Sequence, residues 1–371
     1  MISRIVITAD LLRPFARGQE WESATWKNVR WLHHVLSPAL HACGVEPETL
    51  SWDDRCPGGR HHFFDTPAIY HRLGLALEPG NWARLAQSTT APQALLQALD
   101  TATQGALVIG YEMPPVMLDI LQQLERPYVD VVLHPWRFLP DLVFALRSNR
   151  PALQTQIEAQ RLPAALAVQQ AALIQAKAAW MSPPCELPPG TALLLGQVAG
   201  DRAAALPDGR FASLGDHLHR LHQICTDHPL VLYKPHPYAG PDDPSTEAVA
   251  SLPAIRVVDH NLYHLLAQPE LDTVVALNSS GLVEARAFGR RSHNLIPWLY
   301  DFEATTPPAP GQPAAPVPLD SRWTQAGFWQ PLLLDRPKPG DTAPTPCLPP
   351  HTLRRAMNAD WGYHFIEQVC A

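Results

Sequence analysis

Leu230-Val231-Leu232-Tyr233-Lys234-Pro235-His236-Pro237 decides how this chain is read. Four apolar residues in a row, with no polar alternation, suit a strand buried on both faces, as in a parallel sheet flanked by helices. The turn that follows would stand at the carboxyl edge, where open parallel sheets bind their ligands. A lysine and a histidine held between prolines make a rigid cationic and hydrogen-bonding pair suited to a phosphate. A proline-rich turn closing a strand is the plain structural alternative.

The same alternation runs on either side. Downstream, apolar runs at 255–258 and 273–277 predict strands, and 282–288 predicts a helix. Immediately upstream lie a strand at 191–196 and a helix at 214–227. Nearer the start, runs at 4–8, 106–110 and 129–133 predict strands, and helical spacing appears from Trp26 to Leu36, at 115–124 and at 138–147. Strand and helix in alternation predict parallel sheets covered by helices. A helical segment at 151–180 ends at the proline cluster 183–189, which marks the domain boundary. The expected architecture is α/β of the GT-B type: two Rossmann-like domains facing a cleft. Residues 1–182 form the first domain, 190–345 the second, and 346–371 a helix packing back across them, through Leu353, Met357, Trp361, Phe365 and Val369.

Composition agrees with two cores. A chain of 371 residues exceeds one ordinary core, and 46% hydrophobic against 17% charged residues argues for a globular protein. The 40 prolines, about twice average usage, crowd into 182–190 and 305–350 as a linker and a surface excursion. A net charge of −7 gives no basic footprint for nucleic acid. The six scattered cysteines form no CxxC pair and read as free thiols, so neither zinc nor a disulfide framework is expected. No apolar run of eighteen exists, and the start has no cleavage-site pattern, so a cytoplasmic protein is expected, with peripheral contact at the inner face of the inner membrane left open.

Other strand ends carry candidate chemistry. Asn278-Ser279-Ser280-Gly281 opens the helix containing Glu284, and hydroxyls and free amides there suit an anion; a plain N-cap is the alternative. Gly196-Gln197-Val198-Ala199-Gly200-Asp201 aims Asp201 at the cleft unless it is merely a turn aspartate. Gly110-Tyr111-Glu112 places Glu112 opposite, and two carboxylates about one sugar carbon are what glycosyl chemistry needs. Arg137, in His134-Pro135-Trp136-Arg137, is either a clamp for an anion or a surface arginine. Asn28 and Arg30, beside Trp21, Trp26 and Trp31, offer contacts to an acceptor saccharide, with core packing of the tryptophans as the alternative. The pairs His33-His34 and His61-His62 lack a carboxylate or cysteine at metal-ligand spacing and read as structural.

In combination, Gln197 with Asp201, then Tyr233-Lys234-Pro235-His236-Pro237, then Asn278-Ser279-Ser280-Gly281 with Glu284, resembles the retaining β-Kdo transferases of bacterial surface polysaccharides. The first half, with Tyr111-Glu112 and His134-Pro135-Trp136-Arg137, is most similar to the family 99 glycosyltransferases that cap O-antigen chains. Capsule Kdo transferases share the second-half motifs, and bacterial sialyltransferases more distantly share an HP and a serine motif. The resemblance implies a CMP-β-Kdo donor, retention of configuration, no metal or cofactor, and a glycan acceptor, lipid-linked in the family, with 1–182 as the acceptor domain and 190–345 as the CMP-sugar donor domain. It implies a CMP phosphate held by Lys234, His236, Ser279 and Ser280, within a donor side also comprising Gln197, Asn278, Gly281, Glu284 and Arg137. Asp201 would be the nucleophile that forms a covalent Kdo adduct, with Glu112 assisting the acceptor. After the serine motif, Arg290-Arg291-Ser292-His293-Asn294 departs from the glycine- and aromatic-rich sequence of the capsule enzymes. The competing readings are an inverting transferase for CMP-sialic acid or another CMP-sugar, and a non-catalytic nucleotide-sugar-binding scaffold domain.

Overall fold

The computed structural model describes residues 2, 4–56, 60–181, 186–198, 200–239, 243–252, 255–302, 313–333 and 346–361. The first half starts with β1 (Ile5–Ala9), a hairpin of β2 (Pro14–Arg17) and β3 (Glu20–Ser23), and the helix Trp26–Ala42. The strands β4 (Glu48–Ser51), β5 (His61–Phe63), β6 (Leu107–Tyr111), β7 (Tyr128–Leu133) and β8 (Phe144–Ser148) follow. The second half holds β9 (Thr191–Leu195), β10 (Val231–Lys234), β11 (Ile255–Val257), β12 (Leu271–Ala276) and β13 (Arg291–Asn294), and β14 (Val317–Leu319) comes last.

Two sheets result. In the first the order is β14-β8-β7-β6-β1-β4-β5, parallel from β5 through β7 and antiparallel at β8 and β14. The second, β11-β10-β9-β12-β13, is parallel throughout. Counted in chain order, the parallel strands of each sheet lie 3-2-1-4-5, the doubly wound pattern with a switch point beside the first strand. These are two Rossmann-like halves, in the GT-B arrangement.

The apolar runs account for the layering. β1, β6 and β9 are buried at all five positions, because helices cover both faces. Alternate residues divide accordingly: Ile5, Ile7, Leu107 and Ile109 enter one core, and Val6 and Val108 the core on the opposite face. In the second sheet Leu193 and Leu195 face one core, Ala192 and Leu194 the other.

Three expectations are corrected. The segment 138–147, expected as a helix, is an irregular stretch leading into β8, where Phe144 and Leu146 bury themselves in antiparallel pairing with β7. The segment 151–180 is two helices, Pro151–Ala159 and Ala164–Met181, parted before Pro163. The domain limits drawn at the prolines, 1–182 and 190–345, do not follow the packing. Ala167, Ala171 and Ile174 of the helix Ala164–Met181 join the second half's core. Conversely Val317, Leu319, Trp323, Trp329, Leu353 and Met357 pack with Trp31 and Phe144 in the first. Prolines mark where a helix stops, and apolar stripes decide what it packs on. Of the expected C-terminal helix, Thr352–Trp361 is described; Phe365 and Val369 lie outside the described residues, as do 303–312 and 334–345 of the proline-rich stretch.

Candidate functional site

The carboxyl edges of the two sheets meet, and the site grows from the loops at their switch points. Asp10, directly after β1, is buried. Its carboxylate accepts from the Leu12 amide and from Trp82 Nε1, both at 2.9 Å. Burial raises the Asp10 pKa, and the nearby Arg202 pulls it back. Directly after β6 stands Glu112, a non-glycine residue at φ 48°. Its amide donates to Val131 O at 2.8 Å, and the Met113 amide donates to Asp130 Oδ1 at 2.9 Å. Asp130 is fully buried on β7 and paired through its other oxygen with Arg147, at 2.8 Å. Burial pushes the Glu112 pKa up; Arg202 opposes this, and the charges of Asp130 and Asp201 reinforce it.

From the second half, the loop after β9 crosses to these groups. Asp201 accepts from the Ala203 amide at 3.2 Å, capping a short 3-10 turn, so the turn-aspartate reading holds for one of its oxygens. The next residue, Arg202, is buried and donates to the main-chain carbonyls of Glu112 and Met113, the latter at 3.0 Å. Two guanidinium groups stand over the Tyr300 ring, Arg147 at 5.5 Å and Arg202 at 5.6 Å from its centroid. Its hydroxyl is buried and has no hydrogen-bond partner among the described residues.

The donor-side candidates also converge. A Cβ on Gly196 would lie 2.9 Å from the His236 amide nitrogen, so the loops after β9 and β10 touch. His236 is pushed below the ordinary imidazole range, first by burial and then by Arg137 and Lys234, while Asp201 and Asp243 act against that. Its Nδ1 accepts from the Tyr238 amide at 3.1 Å, which leaves the proton on Nε2 as a donor. Lys234 is buried at the end of β10. Ser279 and Ser280 are half-buried where β12 gives way to the helix Gly281–Ala287, and Ser279 Oγ accepts from the Gly281 amide at 3.2 Å.

Three expected donor contacts are engaged within the protein. Gln197 Oε1 accepts from the Asn278 amide at 3.2 Å, and Asn278 Nδ2 donates to Pro297 O at 2.8 Å. Buried Glu284 accepts from Tyr263 Oη at 2.7 Å and from the Arg137 amide at 3.3 Å, a tie between the halves. Gly281 is needed for space, since its Cβ would meet Leu195 Cδ1 at 2.6 Å. Asn28 is buried in the first turn of the helix Trp26–Ala42, and Arg30 lies 5.8 Å from the Trp26 ring centroid. Thr25 Oγ1, just before that helix, donates to Asp10 O at 2.7 Å, which sets the start of the helix at Asp10's sheet edge. His62 does have a carboxylate partner, Glu48 at 2.8 Å, contrary to the reading of its sequence neighbours. Among the described residues, no three His, Cys, Asp or Glu side chains group as metal ligands.

Sequence reading missed Asp10, Asp130, Arg202 and Tyr300. The signal available for the first was its place at the end of the first strand; the others carry no local motif.

No protein-family model matches the chain, and no curated protein sequence does. Among solved structures it is similar to the Thermosulfurimonas dismutans KpsC beta Kdo 2,7 transferase, with 13% identity, 55% of this chain and 69% of that chain covered and a TM-score of 0.32. A glycosyltransferase from Rickettsia africae aligns at 10% identity over 78% of each chain, with a TM-score of 0.33. SnogD, a glycosyltransferase from Streptomyces nogalater, aligns at 16% identity over 79% of this chain and 82% of that chain, with a TM-score of 0.27. No described helix is long and apolar enough to cross a membrane.

Proposed function

We propose that the chain is a retaining glycosyltransferase that moves Kdo from CMP-β-Kdo to a glycan acceptor of bacterial surface polysaccharide, lipid-linked or free. The observation that carries this reading is the meeting of Asp201 and Glu112 at opposed switch points, beside the Lys234, His236 and Arg137 cluster. The ordered motifs shared with β-Kdo transferases supply the choice of sugar.

In this mechanism an Asp201 oxygen attacks the anomeric carbon, and CMP departs with the bonding electron pair. Lys234, the Nε2–H of His236 and the Ser279 and Ser280 hydroxyls meet the charge on its phosphate. The acceptor hydroxyl then displaces Asp201 from the sugar while Glu112 takes its proton. Two inversions give net retention. A carboxyl group whose pKa burial has raised suits that proton transfer, because its affinity lies nearer the working pH.

The test is incubation with CMP-Kdo generated in situ, followed by intact-protein mass spectrometry. A Kdo-sized adduct is expected on the parent chain and none on Asp201→Asn, which should lose transfer by ~10³-fold or more while binding CMP nearly as well. Undiminished turnover in that variant would sink the double displacement. Inverted product would favour Glu112 as the base of a single displacement, and adduct from CMP-sialic acid in place of CMP-Kdo would change the donor.

A further inference from the structure

We propose that Arg202 is a positioning residue that sets the geometry and the charge state of Glu112 from across the junction of the two halves. The proposal rests on the reading of Glu112 as the proton-transfer group.

Glu112 needs to be held. Its φ of 48° is left-handed, a conformation that costs a residue with a side chain about 1 kcal/mol. From within the first half the turn is tied by Val131 O and by the Asp130 carboxylate. From the second half Arg202 closes it, one guanidinium edge donating to the carbonyls of both Glu112 and Met113. A planar fork spans two consecutive carbonyls in a way that one ammonium does not.

The charges around Glu112 give Arg202 its second task. Asp130 on β7 and Asp201 on the loop after β9 both disfavour the Glu112 carboxylate. Arg147 on β8 is bound to Asp130 through both Nε and Nη2, at 2.9 and 2.8 Å. Arg202 is the countercharge that Asp10 and Glu112 share, and the Tyr300 ring lies 5.6 Å from it. Because Arg202 directly follows Asp201, one short turn both delivers the candidate nucleophile and holds the main chain that carries Glu112.

The experiment uses the full chain labelled with ¹³C at the glutamate carboxyls, with the Glu112 signal assigned by its loss in Glu112→Gln. In Arg202→Met the Glu112 titration midpoint should rise by about one pH unit or more. Arg202→Gln, which removes the charge but retains a donor for one carbonyl, gives the same test if the methionine variant does not fold. Arg202→Lys should keep the midpoint close to the parent's yet lower kcat more than it changes KM. An unmoved midpoint in either folded neutral variant overturns the proposal, as does parental kcat in Arg202→Lys. The titration needs no sugar donor, so it judges Arg202 even if CMP-Kdo is not transferred.

Discussion

A methyl group on Gly196 would lie 2.9 Å from both the His236 amide nitrogen and Tyr233 Oη, and 3.2 Å from Pro235 Cα. Two of those three atoms are main chain and cannot yield cheaply. Gly196→Ala should therefore displace the Lys234–Pro237 turn, costing ~1–3 kcal/mol, and weaken CMP binding measured by calorimetry; parental affinity would separate this turn from the ligand. The two glycines of this loop, read together as room for a ligand, have different causes. Gly196 makes room for a neighbouring loop, whereas Gly200 has φ 80° with nothing near its missing Cβ and is required by the backbone. Contacts of this kind have no signature in the sequence, since Gly196 and His236 are brought together by strand pairing. What was legible at this scale was residue type at strand ends: Asp201, Glu112, Lys234 and His236 do stand at one junction, while Gln197, Asn278 and Glu284 turn out to join its loops.

At the scale of elements, the turn after β7 shows how a buried polar group ties stability to pH. His134 is 1% exposed, its ring edge-on to Trp136 and Phe302, and its Nδ1 accepts from the Trp136 amide at 3.2 Å. Burial lowers its pKa from 6.5 to about 3. Between those values the unfolded chain holds more protons than the folded one, so stability rises with pH across that window and falls on acidification. From pH 7 to pH 4.5 the loss from this residue is roughly 2–3 kcal/mol at ~1.4 kcal/mol per pH unit. His134→Asn keeps an acceptor for the Trp136 amide without a titrating ring, so its denaturant midpoint should fall less steeply with acid; an identical slope would refute the assignment. The same turn explains the misread segment beyond it. Phe138, Leu142 and Leu146 satisfy helical spacing, but β7 offers an open edge that Phe144–Ser148 fills by pairing.

Across the whole molecule, the halves are laced rather than merely adjacent. The helix Ala164–Met181 packs on the second core, and β14 with the segments after it packs on the first. Arg13 Nη2 reaches Gly200 O at 3.1 Å and Gln87 Nε2 reaches Ala205 O at 2.9 Å, beside the Arg202 and Glu284 ties. One calorimetric unfolding transition is expected, dividing into two when Arg13→Ala and Gln87→Ala are combined; two transitions in the parent would show the lacing to be weak. The sequence by itself determined β1, β6, β7, β9, β10, β11 and β12, their alternation with helices, and the order in which the polar motifs occur, whereas the short parallel strands β4, β5 and β13 went unread. Continuous apolar runs and turn residues act within a short window, so those features are local. Only the tertiary structure decided which half each terminal element serves, and that Asp10, Glu112, Asp130 and Tyr300 gather around Arg202. Those partners are chosen by what each surface can bury and by which buried charges need one another, and both depend on residues far apart in the chain.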